Sequence, residues 1–399
     1  MHIIHRFGHL VGGTLLVAGT SIGVGMLALP VATAAGGFIP SLVVYLVCWL
    51  FMLCTGLLVL EACIWMPYGS NLITLTHRLL GGWGRGLCWI LYLFLFTSLM
   101  VAHVVGGGGA LTTLADGLLP NWVSVLLYVA VFSPIVYLGT RWVDRTNLVL
   151  MVGVVITYLT FCGSSFPYID KTLLTRMDWS KAWFALPIIF TAFGYQSLIP
   201  TLVNYMHRDI PKIRFALIFG TMLPFLIYIV WELLIVGIIP LEGPHGLAAA
   251  LKAGQNAVQP LGEHLNNPLL LTIGHLFAFF VMTTSFMGIG IAFVDFLADG
   301  LKVEKKGWGK FGLCVLIFVP PTAISLGNPQ IFFQALQYAG GIGVALLLGL
   351  LPVLMVWSGR YKQGFSAAHR QLPGGRLVLC ILILFVMAEL IIEWRALFS

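Results

Sequence analysis

Apolar runs of about 20 residues or more follow one another along almost the whole chain, broken by short polar stretches. Eleven of them cover residues 10–34, 39–66, 86–113, 122–140, 147–167, 183–206, 213–240, 268–299, 311–327, 330–357 and 375–397. A helix needs about 20 residues to cross roughly 30 Å of hydrocarbon. The pattern therefore predicts an all-α integral membrane protein with eleven spans, numbered 1 to 11 in chain order. The connections leave no room for a separate soluble domain, so residues 1–399 read as a single transmembrane domain.

Two of the spans are poor helices at their centres. Span 1 contains AGTSIGVGMLALP, with Gly19, Gly23, Gly25, Thr20 and Ser21 at membrane depth. Each glycine costs a helix about 1 kcal/mol relative to alanine. Span 6 contains FTAFGYQSLIPTLVNY, with Gly194, Gln196, Ser197 and Pro200. Pro200 has no N–H to give the carbonyl of Gln196, four residues earlier. The break in span 1 lies about ten residues after its start, and that in span 6 about ten after its own. Spans 1–5 (about 10–167) and 6–10 (about 183–357) then form two halves that enter from opposite faces, with 375–397 as an extra helix. Such a 5+5 inverted repeat places its substrate site where the broken helices meet. One interrupted span alone reads better as close helix packing through small residues. Two at corresponding positions favour a binding site, because freed backbone at this depth needs a partner.

The chemistry of such a break is directional. Helix resuming after Ser21 predicts free amides from Ile22 to Gly25, at a positive helix end suited to a carboxylate. Carbonyls left near Ala18, Gly19 and Phe193 suit an ammonium group or a small cation. An amino acid zwitterion offers both charges, and span 1 has no acidic residue to repel its carboxylate.

Composition agrees with the membrane reading. The chain is 59% hydrophobic and 9% charged, against roughly 25% charged in a soluble domain. Its net charge of +7 does not mark a nucleic-acid partner, because 16 of the 21 Lys and Arg fall on the side of the N-terminus. By the positive-inside rule the N-terminus is cytoplasmic and, with an odd span count, the C-terminus is outside. VATAAGG after span 1 resembles a signal-peptide cleavage site, but the run is long and glycine-rich with only Arg6 before it, so it reads as retained. Seven cysteines without paired spacing predict free thiols and no metal site.

Three motifs carry a resemblance. GTSIGVGMLALP in span 1, FGYQSLIP in span 6 and TTSFMGIGIAFVDFLADGLK in span 8, with the loop HRDIPKIR, resemble the hydroxy and aromatic amino acid permeases. Within that family the chain looks most like bacterial tyrosine permeases, with tryptophan permeases a step away. The family belongs to the amino acid–polyamine–organocation group, so the resemblance implies a leucine-transporter-like fold. It also implies that Gly19, Thr20, Ser21, Gly23 and Gly25 contact the substrate's amino and carboxyl groups. Phe193 falls at the position of an aromatic lid, followed by Gly194, Tyr195 and Gln196 as further lining. Thr20 stands where sodium-coupled relatives have an asparagine, which argues against a sodium ion bound to the substrate carboxylate.

The coupling ion is read two ways. Thr284 and Ser285, with the carbonyls of Gly19, Ile22 and Val281, match a second sodium site of the fold. Proton-coupled relatives often place a span 5 lysine there, and span 5 here has none. The residues favour sodium and the family favours protons; the proton is preferred, with sodium as the alternative and no other cofactor.

Ionisable groups at membrane depth are functional candidates. His103 in span 3 could bond a tyrosine hydroxyl, carry a proton, or simply pack against a carbonyl. Glu232 in span 7 and His275 in span 8 could pair as a proton relay or a structural tether. Glu61, Asp295 and Asp299 read as snorkelled or as part of an inner gate, and Glu389 and Glu393 are assigned no role. No nucleophile–base set, nucleotide motif or filter loop supports an enzyme, an ATP-driven pump or a channel. The expectation is a symporter importing tyrosine across a bacterial inner membrane, with a tryptophan or broader aromatic or neutral amino acid permease or exchanger as the alternative.

Overall fold

The computed structural model describes residues 2–115, 117–265, 267–365 and 370–398. It is helical throughout, with ten helices long and apolar enough to cross a membrane and one bent pair that makes an eleventh span. Span 1 consists of His2–Ser21 (1a) and Val24–Thr33 (1b), with the two bent by 50°. Spans 2 to 5 are Phe38–Trp65, Gly82–Leu114, Asn121–Leu138 and Thr140–Tyr168. Span 6 is Trp179–Tyr205, interrupted between Leu186–Ala192 (6a) and Ile199–Tyr205 (6b). Spans 7 to 11 are Ile210–Ile238, Pro268–Leu301, Gly307–Gly327, Phe332–Tyr361 and Gly375–Arg395.

The breaks have local causes. In span 1 the Ile22 amide donates to the Ala18 carbonyl (3.1 Å) and closes 1a, while Met26 donates to Gly23 (3.0 Å) and opens 1b. Gly23 between them is fully extended, at φ −164° and ψ −153°. Ile22 is thus not among the free amides, nor Ala18 among the free carbonyls, as the sequence had suggested. In span 6 the break falls at Phe193–Tyr195, about ten residues after residue 183, where the sequence places it. Pro200 sits in the first turn of 6b, where a missing N–H costs nothing and the fixed φ helps start the helix.

Three short helices were not anticipated. Leu72–Leu80 follows span 2, and Leu247–Ala253 and Val258–Leu265 lie between spans 7 and 8. Residues 339–350 of span 10 form a π-helical stretch. Its glycines let it press on 6a: a methyl group at Gly340 would lie 1.6 Å from the Pro187 carbonyl oxygen.

Polar ties fix the spans in depth. Arg360 of span 10 makes a two-pronged bond to Glu61 of span 2, with both contacts at 2.7 Å. The two side chains are 1% and 0% exposed, and the Gln371 amide adds a third bond to Glu61 at 2.8 Å. Glu61 is therefore a buried partner rather than a snorkelled end. Removing one partner of such a pair leaves an uncompensated charge and costs about 3–5 kcal/mol. Glu61→Gln is expected to lower the thermal unfolding midpoint in detergent clearly, read by size-exclusion chromatography after heating. An unchanged midpoint would show that the pair is not desolvated.

Candidate functional site

A cavity of about 740 Å³ lies between the two breaks and spans 3, 5, 8 and 10. Its exposed lining, including Leu15, Leu16, Gly19, Thr20, Asn71, Asp295 and Asp299, lies toward the face where the chain begins. The opposite end is closed: the Ala257 amide of the loop before span 8 donates to the Leu27 carbonyl of 1b (3.1 Å).

Ten of the sequence-derived residues meet here: Gly19, Thr20, Ser21, Ile22, Gly23, Gly25, His103, Gly194, Thr284 and Ser285 all line the cavity. Among the described residues the amides of Gly23, Val24 and Gly25 have no backbone acceptor, and no side chain caps this helix start. They form the anion-seeking pole of the site. Among the described residues no lysine or arginine lines the cavity, so an anion held here would be met by backbone amides.

The glycines do different work. A methyl group on Gly19 would meet nothing within 4 Å, so its place is open space. On Gly23 it would lie 2.8 Å from Ser285 Oγ, and on Gly25 2.8 Å from the Cα of Ala192. Gly25 thus permits 1b to touch 6a, and bulk there would push helices apart rather than fill a carboxylate pocket. Thr20 is turned back on its own helix, with its hydroxyl donating to Val17 (2.8 Å) or Leu16 (2.9 Å). The Ser21 hydroxyl is buried without a partner.

Four predicted residues lie away from the cavity, for visible reasons. Phe193 packs edge-on against Tyr228 at 5.2 Å and against Phe225 at 6.4 Å, behind the break. The Tyr195 hydroxyl reaches the Met52 carbonyl (3.3 Å). Gln196 donates to that carbonyl (3.1 Å) and to Thr55 (3.0 Å). Both residues therefore tie span 6 to span 2. Val281 is buried within span 8, and its carbonyl accepts from Thr284 Oγ1 at 3.0 Å. Four of the five candidate sodium ligands share the cavity wall, and the fifth is engaged inside its helix.

His103 is 1% exposed. Its Nδ1 lies 2.6 Å from the Leu99 carbonyl, which can only accept, so Nδ1 carries the proton. Nε2 is then a lone-pair acceptor, and it has no partner. Glu232 accepts from Thr33 and Tyr45, each at 2.7 Å, and His275 lines a second cavity of about 210 Å³. Through these bonds Glu232 ties spans 1b, 2 and 7 together.

The sequence reading missed three features. Tyr228 of span 7 sits between the breaks, its hydroxyl within reach of the Ser21 carbonyl and of the Ala192 carbonyl (3.0 Å). Asn147 of span 5 lines the cavity with its carbonyl oxygen buried and unpartnered. A lone amide in an apolar span was the available signal. Tyr92, Phe96 and Phe296 form an aromatic wall, with centroids 5.2 to 5.7 Å apart.

Residues 7–393 match the family model described as the tryptophan/tyrosine permease family. The tryptophan-specific transport protein of Pseudomonas aeruginosa is 31% identical, over 95% of this chain and 93% of its own length. The tyrosine-specific transport system 1 of Haemophilus influenzae is 30% identical, over 94% and 93% respectively. Among solved structures, MhsT in complex with L-phenylalanine aligns with a TM-score of 0.68 at 15% identity, covering 95% of this chain and 98% of that one. The leucine-transporter-like fold implied by the motifs is the fold found.

Gly25→Leu is expected to destabilise the protein by about 1–3 kcal/mol through overpacking against 6a. Gly19→Ala should leave stability unchanged or raised. Equal unfolding midpoints for the two variants would contradict this division of roles.

Proposed function

The chain belongs to the tryptophan/tyrosine permease family, and from that premise we propose that it is a secondary active symporter importing an aromatic amino acid. Tyrosine is the substrate proposed, with tryptophan as the alternative. The family is one of permeases, and its relatives are transport proteins rather than enzymes. The observation that carries the reading is the pairing of two groups in one cavity: the uncapped amides of Gly23 to Gly25 and the bare acceptor Nε2 of His103. The amides receive the carboxylate. Nε2 accepts the phenol O–H of tyrosine or the indole N–H of tryptophan. The side chain of phenylalanine has no such donor.

Transport follows alternating access. The cavity open at the N-terminal face corresponds to the cytoplasm-facing state, with the N-terminus cytoplasmic and the C-terminus outside a bacterial inner membrane. The clustering of 16 of 21 Lys and Arg on that side supports this orientation. Spans 1 and 6 and their neighbours, drawn from both halves of the chain, rock against the wall of spans 3 and 8 around a fixed site. Proton coupling is preferred. Sodium is the alternative, held by Gly19, Ile22, Thr284 and Ser285 once the Val281 carbonyl is released.

Labelled tyrosine uptake into proteoliposomes under a proton gradient, a sodium gradient and neither tests the reading. Accumulation driven by the proton gradient is expected; none under either gradient would refute the symporter. In the same assay His103→Ala should weaken tyrosine and tryptophan about tenfold, the worth of one buried hydrogen bond. Any competition by phenylalanine should stay as it was. An equal loss for all three would remove His103 from ring recognition.

A further inference from the structure

Span 11 stands outside the ten spans around the cavity, yet it carries two glutamates a single turn apart on one face. Glu389 is 0% exposed and Glu393 2%. Both oxygens of Glu389 and Oε1 of Glu393 are buried without a hydrogen-bond partner. Glu393 Oε2 accepts from Gln337 Nε2 of span 10 at 2.9 Å. Among the described residues no lysine, arginine or histidine pairs with either. The titratable group facing them from another element is the Cys48 thiol of span 2, beside Glu389. Span 10 presents Gln337 and Gly341, and 6a presents the Phe190 ring, packed on Phe385 of span 11.

A bare carboxylate so placed would cost several kcal/mol, and two within one turn would also repel each other. Each carboxyl therefore holds a proton in this packing. The pair sits toward the C-terminal end of span 11, the side the charge distribution places outside, where an inward-driven proton would arrive.

The site is mechanically joined to the cavity. Gln337, the partner of Glu393, follows Leu336, whose carbonyl accepts from Thr191 Oγ1 of 6a at 2.9 Å. Thr191 lines the cavity. A methyl group on Gly341 would lie 2.8 Å from the Glu393 carboxyl carbon. From the same π-helical stretch Val344 and Leu348 line the cavity, and Leu348 lies 3.6 Å from the side-chain position of Gly194.

We propose that Glu389 and Glu393 form the proton-binding site that couples the gradient to transport. Loss of the proton, as H⁺ passed to water, leaves a carboxylate that the present packing cannot solvate. Span 10 must then shift from span 11 to admit donors, and it carries 6a with it. The two protonation states thereby favour two arrangements of the break in span 6, which is the differential stability that coupling requires. The inference rests on reading the protein as a proton-driven carrier.

The test is the double variant Glu389→Gln/Glu393→Gln, which mimics the protonated pair, reconstituted beside the wild type. Tyrosine counterflow, which needs no gradient, is expected near the wild-type rate. Accumulation under an imposed pH gradient is expected to fall at least about tenfold. Gradient-driven accumulation equal to wild type would overturn the assignment. So would loss of both activities with a lowered unfolding midpoint, which would mark the pair as structural. If the wild type itself fails to respond to the pH gradient, proton coupling falls and this site falls with it.

Discussion

An N–H or C=O group without a partner costs several kcal/mol in hydrocarbon, and this structure depends on the two places where helices are interrupted in spite of that. The chain limits the damage at each break. Ile22 closes onto Ala18, Met26 onto Gly23 and Leu198 onto Tyr195, and the single Tyr228 O–H lies within reach of the Ser21 carbonyl at the end of 1a and the Ala192 carbonyl at the end of 6a, able to donate to either. Left without a partner on residues that line the cavity are three amides of 1b, the Ser21 hydroxyl, the Asn147 carbonyl and the acceptor nitrogen of His103. The break is thus a set of donors and acceptors held open by a scaffold that ties spans 1b, 2, 6, 7 and 10 together by buried polar bonds.

Span 2 is the post of that scaffold. Tyr45 holds Glu232 of span 7, Met52 and Thr55 hold Gln196 of span 6, and Glu61 holds Arg360 of span 10. Apolar contacts give little preference for one helix register over another when the surrounding lipid is equally apolar. Buried polar bonds do give one, because a slipped register would leave each partner unpaired. The ties lie away from the cavity, leaving 1a and the N-terminal parts of spans 3 and 8 to shape its mouth. Gly25 against Ala192 then sets how closely the two broken helices meet.

Charge is used sparingly around the cavity. Its acidic lining, Asp295 and Asp299, lies at the mouth, and Asp295 is engaged by Lys305 at 2.9 Å. The depth of the cavity offers neutral dipoles, so a bound zwitterion would meet complementary partial charges without the desolvation of a full ion pair. The aromatic wall of Tyr92, Phe96 and Phe296 along spans 3 and 8 supplies apolar surface beside those dipoles.

The sequence alone determined the class and the spans, and marked residues that the fold brings to the wall of the cavity. Apolar runs of membrane length can do little else in water than enter a bilayer, and glycines at the centre of such runs are too costly to be incidental. That is why Gly19, Ser21, Gly23 and Gly194 could be placed at the cavity from the chain itself. Only the tertiary structure decided which way neighbouring side chains turn. Tyr195 and Gln196 follow Gly194 directly yet face span 2, and Phe193 lies against Tyr228, because irregular backbone carries no helical period from which to read a face. Tyr228 and the Glu389–Glu393 pair lie in unbroken apolar spans, where residue type is visible but the partner is not. Their roles arise from which spans pack together, and hydrophobic pattern alone does not specify that when every span is apolar on all sides.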